Sequence, residues 1–192
     1  TKHKVIIEDC AQSLGAFIGH KKTGLVGKAG IFSFYATKLI TSGGQGGMFV
    51  SEDRSLVDKV RDYREFDNRR DRKERFNFQM TDIHASIGRA QLRQLPDFLE
   101  RRQEIFSIYK ESGLNLIESE NNTSIHYRAV IRVNTPSKIR DMLEVNGIKT
   151  IIPIEDWELL GDGSIYTNSY DMTQTTLSLP IYPSLSNQEV YK

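Results

Sequence analysis

Cysteine is nearly absent. Among 192 residues only Cys10 occurs, so no internal disulfide framework can form, and the chain fits a reducing compartment, the cytoplasm. Cys10 is read as a small buried hydrophobe rather than a nucleophile. An excess of one charge is missing too. The formal net charge is +1, which gives no bulk attraction to nucleic acid or an anionic membrane, and no window reaches the roughly 18 apolar residues of a membrane span. The four histidines, His3, His20, His84 and His126, are scattered without ligand spacing. Asp82 and His84 fall on different faces of a helix, so no metal site is expected. There is no signal-like segment, and Thr1-Lys2-His3-Lys4 runs almost at once into a strand with neither an initiator methionine nor a helix ahead of it, the pattern of a chain that begins inside a fold.

What is present reads as a globular α/β chain able to bury a core, 38% hydrophobic and 27% charged, with small molecules or other proteins as partners. Three short apolar runs, 5–7, 31–36 and 48–50, are bounded by glycine or polar clusters and predict strands of a mostly parallel sheet buried on both faces. A surface helix is predicted over 52–61, and the charge-rich stretch from Arg64 to Arg75 reads as a long exposed loop. Thr81 is a helix N-cap candidate ahead of Ile83, Ile87, Ala90, Gln91 and Leu95 on one face. Pro96 should break that helix, and a second should run over 97–112 to Gly113. Beyond the polar 118–123 stretch, strands over 126–133 and 148–154, a helix over 136–146 closed by Gly147, a brief strand over 176–180 and a helix opening at Ser186 predict a small α+β unit. The domains divide accordingly, with 1–112 as part of a large domain and 113–192 as a smaller C-terminal one.

Lys38 follows the apolar run Ile31-Phe32-Ser33-Phe34-Tyr35-Ala36 and precedes Ser42-Gly43-Gly44-Gln45-Gly46-Gly47. Val5-Ile6-Ile7-Glu8-Asp9 ends in carboxylates. An amine, a hydroxyl and a carboxylate at or just past strand ends stand where α/β sheets bind ligands. They suit a phosphorylated aldehyde such as pyridoxal phosphate, which needs an amine to attach to, an acid beside its ring nitrogen and donors for its phosphate. A lysine in a strand-to-loop segment is also commonly a solvated charge, and spacing by itself leaves both readings open. A Walker-type phosphate loop does not fit, because there the glycines precede the lysine.

The run Val5 to Ala16, Gly30-Ile31-Phe32-Ser33-Phe34, Lys38, Gly46-Gly47, Met80-Thr81-Asp82-Ile83-His84-Ala85-Ser86-Ile87-Gly88 with Gln91-Leu92, Arg101-Arg102, Gly147-Ile148 and Leu177-Ser178-Leu179-Pro180-Ile181-Tyr182-Pro183 together resemble the DegT/DnrJ/StrS sugar aminotransferases. The resemblance spans nearly the whole chain. It implies a fold-type I enzyme with pyridoxal 5′-phosphate as cofactor, Lys38 as covalent anchor, Asp9 facing the pyridine nitrogen, Ser33 reaching the phosphate and Gln12 beside the ring. Asn77 matches the residue that reaches the phosphate in the neighbouring subunit's site, which makes 64–80 an interface element of a homodimer. The implied reaction moves an amino group from glutamate or glutamine to a nucleotide-linked keto sugar, in sugar or polysaccharide biosynthesis. Arg75 and Gln79 depart from the family's usual Gly and Arg, and Pro153-Ile154-Glu155-Asp156-Trp157 departs from its substrate stretch. Members run longer, so the chain resembles a C-terminal portion that needs an N-terminal half. The competing readings are a cofactor-free fragment or pseudoenzyme acting in protein interaction, and a sugar dehydratase, which carries His where Lys38 stands.

Overall fold

The run Val5-Ile6-Ile7-Glu8-Asp9 is too short for a helix, and in the computed structural model of the protein, which describes residues 4–118 and 124–192, it supplies β1 (Ile7–Asp9). Thr1-Lys2-His3 and residues 119–123, which hold His3 of the histidine set and most of the polar stretch, lie outside the described residues. The described chain forms two units, one of residues 4–98 with 124 and 125, the other of residues 99–118 and 126–192.

In the first unit, β1 is followed by a small antiparallel hairpin, β2 (Phe17–Ile18) and β3 (Lys21–Lys22), turning at Gly19, whose φ is +59°. Next come β4 (Ala29–Ser33) and β5 (Gly47–Val50), giving a sheet of order β1-β4-β5. β1 and β4 are parallel, pairing Ile7 with Ala29 and Asp9 with Ile31. β5 runs antiparallel to β4, pairing Ser33 with Gly47, so of the three runs expected in a mostly parallel sheet one is antiparallel. β4 also ends at Ser33 rather than 36, because the chain turns there. The strands are not buried on both faces. Val5, Ile6 and Ile7 are exposed, as are Ile31 and Met48. A close approach fixes β4. A Cβ on Gly30 would lie 2.3 Å from Gly24 Cα, so the chain crosses itself where neither residue has a side chain.

Helix α1 (Arg54–Tyr63) starts at Asp53, whose carboxylate accepts from the N–H groups of Ser55 and Leu56 and pairs with Lys28 Nζ at 2.7 Å. Helix α2 (Asp82–Arg93) has Thr81 as N-cap, its hydroxyl accepting from His84 N. The break comes at Gln94, and α3 (Leu95–Glu111) carries Pro96 in its first turn, where a missing N–H costs nothing. The apolar stripe expected on α2 is not its inner face: Ile83 is 72% exposed, while Gly88 makes the close contact.

The second unit packs Ile105, Phe106 and Tyr109 of α3 against Ala129, Ile181, Leu185 and Val190. Strands β6 (Ala129–Arg132) and β7 (Thr176–Leu179) pair antiparallel, and Ile131 and Leu177 join Ile152 in a second cluster. Burial pushes the Tyr109 hydroxyl up to about 12, and it donates to the Pro180 carbonyl at 2.8 Å. Arg102 is enclosed with its guanidinium donating to the carbonyls of His126 and Tyr127. Helix α4 (Pro136–Val145) has Gly147 two residues beyond its end, with φ of +75°. The strand expected over 148–154 does not form; only an isolated bridge links Ile151 to Ser178. Helices α5 (Thr167–Thr175) and α6 (Asn187–Val190) complete the unit, the latter capped by Ser186. Among the described residues no helix is long and apolar enough to cross a membrane, and no group of three or more His, Cys, Asp or Glu could hold a metal ion.

Candidate active site

The parallel ladder brings Asp9 and Ser33 to one edge. Asp9 is the register partner of Ile31, and Ser33 lies two residues further along β4. Because side chains alternate along a strand and register partners share a face, Asp9, Ile31 and Ser33 face the same way, with Asp9 and Ser33 separated by roughly 8 Å between Cα atoms. One bond extends the pairing past the strand end, from Cys10 N to the Ile31 carbonyl at 2.8 Å. Asp9 Oδ1 accepts from Ala11 N at 3.0 Å, fixing the carboxylate at the start of the turn in which Gln12 is exposed. Cys10 is 2% exposed and its thiol is pushed up by burial, in keeping with a small packed hydrophobe.

Alternation sends Glu8 to the other face, so the two carboxylates that end the run do not converge on one ligand. Glu8 instead accepts from Gly24 N at 2.8 Å and from Val26 N and Gly27 N at 2.7 Å each. This structural role is not marked in the sequence. Its only trace is the pair of glycines, Gly24 and Gly27, that lets the turn fold onto a carboxylate.

Lys38 stands at the tip of the loop between β4 and β5. Phe34 N donates to the Gly46 carbonyl, Ala36 N to that of Gly44, and Ser42 N to that of Phe34, at 2.8, 3.1 and 2.9 Å, and Lys38 N closes a turn onto the Tyr35 carbonyl at 3.0 Å. Leu39 and Ile40 are buried directly after it, which anchors the loop and leaves Lys38 half-buried. Gly43 and Gly44 have φ of +79° and +146°, values that side-chain-bearing residues rarely adopt. Ser33 Oγ accepts from Tyr35 N at 3.3 Å, orienting the hydroxyl at the root of the loop. A Cβ on Gly44 would meet nothing within 4 Å, so there is open space beside the loop. A lysine on the loop, with a carboxylate and a hydroxyl on one face of the strand ends at its root, suits the amine, ring-acid and phosphate-donor needs of pyridoxal phosphate.

Asn77 is placed on a different element. The 64–80 segment is held by Phe76 N donating to the Tyr63 carbonyl and Phe78 N to that of Arg64, at 2.9 and 3.1 Å. Phe76 and Phe78 stack at 5.0 Å with 2° between their planes, and the exposed Asn77 lies between them in sequence. The segment is less open than its charge predicts. Arg75 donates to Asp62 through Nε and Nη2 at 3.0 and 3.1 Å and to Asp71 through Nη2 at 3.0 Å, and its side chain is only 5% exposed.

An α/β sheet whose strand ends carry a carboxylate and a hydroxyl, with a lysine on the adjoining loop, is compatible with a pyridoxal-phosphate-binding protein. The chain belongs to the DegT/DnrJ/EryC1/StrS aminotransferase family, whose model matches residues 1–192. Pyridoxal 5′-phosphate is the cofactor of this family. The chain is 30% identical to GDP-perosamine synthase of Escherichia coli O157:H7 over 206 residues, covering 99% of this chain and 56% of that protein. Among solved structures it superimposes on a DegT DnrJ EryC1 StrS aminotransferase from Brucella abortus with a TM-score of 0.86 at 25% identity, covering 97% of this chain and 54% of the other. It also superimposes on the PLP form of a putative sugar aminotransferase from Streptococcus pneumoniae, with a TM-score of 0.81 at 25% identity, covering 97% and 55%. The chain thus spans about half the length of the relatives it matches.

Proposed function

We propose that the protein containing this chain transfers an amino group to a nucleotide-linked keto sugar, with glutamate or glutamine as donor, and that Lys38 is the covalent anchor of its cofactor. The observation that supports this most directly is that the loop carrying Lys38 is rooted at Phe34, the residue after Ser33, at the end of the strand on which Asp9 and Ser33 share a face. Bound pyridoxal phosphate supplies an electron sink. Asp9 would hold the ring nitrogen protonated, Ser33 would donate its hydroxyl to the phosphate, and Gln12 would stand beside the ring. Lys38 would hold the cofactor through Nζ and, as a free amine, would serve as the group that moves a proton. In this reading Asn77 completes the partner's site in a homodimer, 1–112 holds the cofactor residues and 113–192 forms the smaller α+β domain. The single thiol fits a cytoplasmic setting.

The test is reductive trapping. Borohydride treatment of the full-length protein with pyridoxal phosphate should leave a stable adduct on the peptide carrying Lys38. Lys38→Ala and Lys38→Arg should lose it, and transamination should fall by about 10²-fold or more, the contribution of a positioned proton-transfer group. Retention of adduct and activity in both variants would exclude Lys38 as the anchor.

A further inference from the structure

Ser42 is completely enclosed, and its hydroxyl has no hydrogen-bond partner among the described residues. An orphaned buried hydroxyl is destabilising, so its presence calls for a physical reason. Two glycines close on it from different elements. A Cβ on Gly88, in the middle of α2, would lie 2.8 Å from Ser42 Oγ, with Ser42 Cβ at 3.8 Å. A Cβ on Gly46 would lie 2.8 Å from the same oxygen, 2.9 Å from Ser42 Cβ and 2.9 Å from Met80 Cε. Beside this contact Gly43 approaches Ile87, with 2.8 Å between a built Cβ and Ile87 Cδ1. Ser42 N also closes the Lys38 loop on the Phe34 carbonyl. The residue therefore joins the closing end of that loop to the helix, at a spacing that excludes a methyl group on either glycine.

We propose that Ser42 is a positioning residue for Lys38. Its hydroxyl acts as a spacer wedged between Gly46 and Gly88, seats the loop on α2, and thereby sets where the lysine amine stands. The inference rests on Lys38 being the cofactor anchor. Gly88→Ala adds helix propensity, yet its methyl meets the hydroxyl and pushes the loop away. In Ser42→Ala/Gly88→Ala the oxygen is gone, and the new methyl meets Ser42 Cβ at an ordinary 3.8 Å. Ser42→Ala/Gly46→Ala stays crowded, because Met80 Cε and the residue-42 Cβ remain at 2.9 Å.

The experiment is a double-mutant cycle in the full-length, cofactor-free protein. It reads thermal stability and the rate at which pyridoxal phosphate with borohydride labels the Lys38 peptide. Gly88→Ala should lower Tm and slow labelling by about tenfold or more, the scale of a sub-ångström to ångström misplacement. Ser42→Ala/Gly88→Ala should recover both, the labelling rate to within about twofold, and Ser42→Ala/Gly46→Ala should recover neither. A wild-type labelling rate in Gly88→Ala, or no recovery in Ser42→Ala/Gly88→Ala, would overturn the proposal. So would a cycle that moves Tm and leaves labelling untouched, since that is a purely structural contact. No labelling of Lys38 in the unsubstituted protein would instead overturn the reading of Lys38 itself.

Discussion

Strand alternation sends Glu8 and Asp9 to opposite faces, and three backbone N–H groups converge on Glu8. Burial pushes the Glu8 carboxyl up, but the bonds from Gly27, Gly24 and Val26 together outweigh it and hold the group below its ordinary value. A carboxyl lowered on folding stabilises fully above its unfolded value of about 4.3, and that contribution is lost as pH falls through the folded value. Glu8→Gln, which leaves one accepting oxygen for three donors, should cost about 2 kcal/mol in urea unfolding at neutral pH. The same variant should flatten the decline of stability at acid pH, and an unchanged profile would remove Glu8 from the account. Lys38 and Asp9 are legible in sequence because each follows an apolar run at a turn, and Ser33 because it is the one serine within such a run. Glu8 is not, because its partners lie sixteen to nineteen residues away and only the folded turn brings their N–H groups together.

At the scale of elements, local chemistry is what the sequence carries most clearly. Thr81 and Ser186 both cap the helices they precede, since a hydroxyl at that position satisfies free backbone donors whatever the tertiary setting. Strand partnership is less legible: β5 reads like β4 but runs antiparallel to it, and 148–154 keeps one bridge because Ile151 alone meets β7. Helix α2 shows the limit of the periodic pattern, for its close face is set by Gly88 together with Ile87, while Ile83 is exposed. The 64–80 segment departs from an open loop through its backbone bonds to Tyr63 and Arg64, the Phe76–Phe78 stack and the enclosed Arg75. Arg75 pairs with Asp62 and Asp71 and holds the Asp71 carboxyl well below the usual carboxylate range. Arg75→Leu should free this segment, raising amide hydrogen exchange across 64–80 while α1 and α2 keep their protection. Unchanged exchange would show that the stacked Phe76 and Phe78 are sufficient by themselves.

For the whole molecule, the homodimer proposed from Asn77 has a direct consequence. If Asn77 serves the partner's site, Lys38→Ala and Asn77→Ala fail in different ways, and a mixed dimer rebuilds one intact site. Random exchange of the two inactive proteins should then restore about a quarter of wild-type activity per site, as two-fold symmetry dictates. Mixtures that stay inactive after verified subunit exchange would place Asn77 within its own site or outside both. The sheet that carries Asp9 and Ser33 is itself keyed by the crossing of Gly24 and Gly30. A slip of one residue along β4 would bring Ala29 or Ile31 against the Gly24 backbone, where no side chain fits, and would turn Ser33 to the opposite face. Which side of the sheet the Ser33 hydroxyl faces is therefore decided three residues upstream, by a position that does no chemistry and admits only hydrogen.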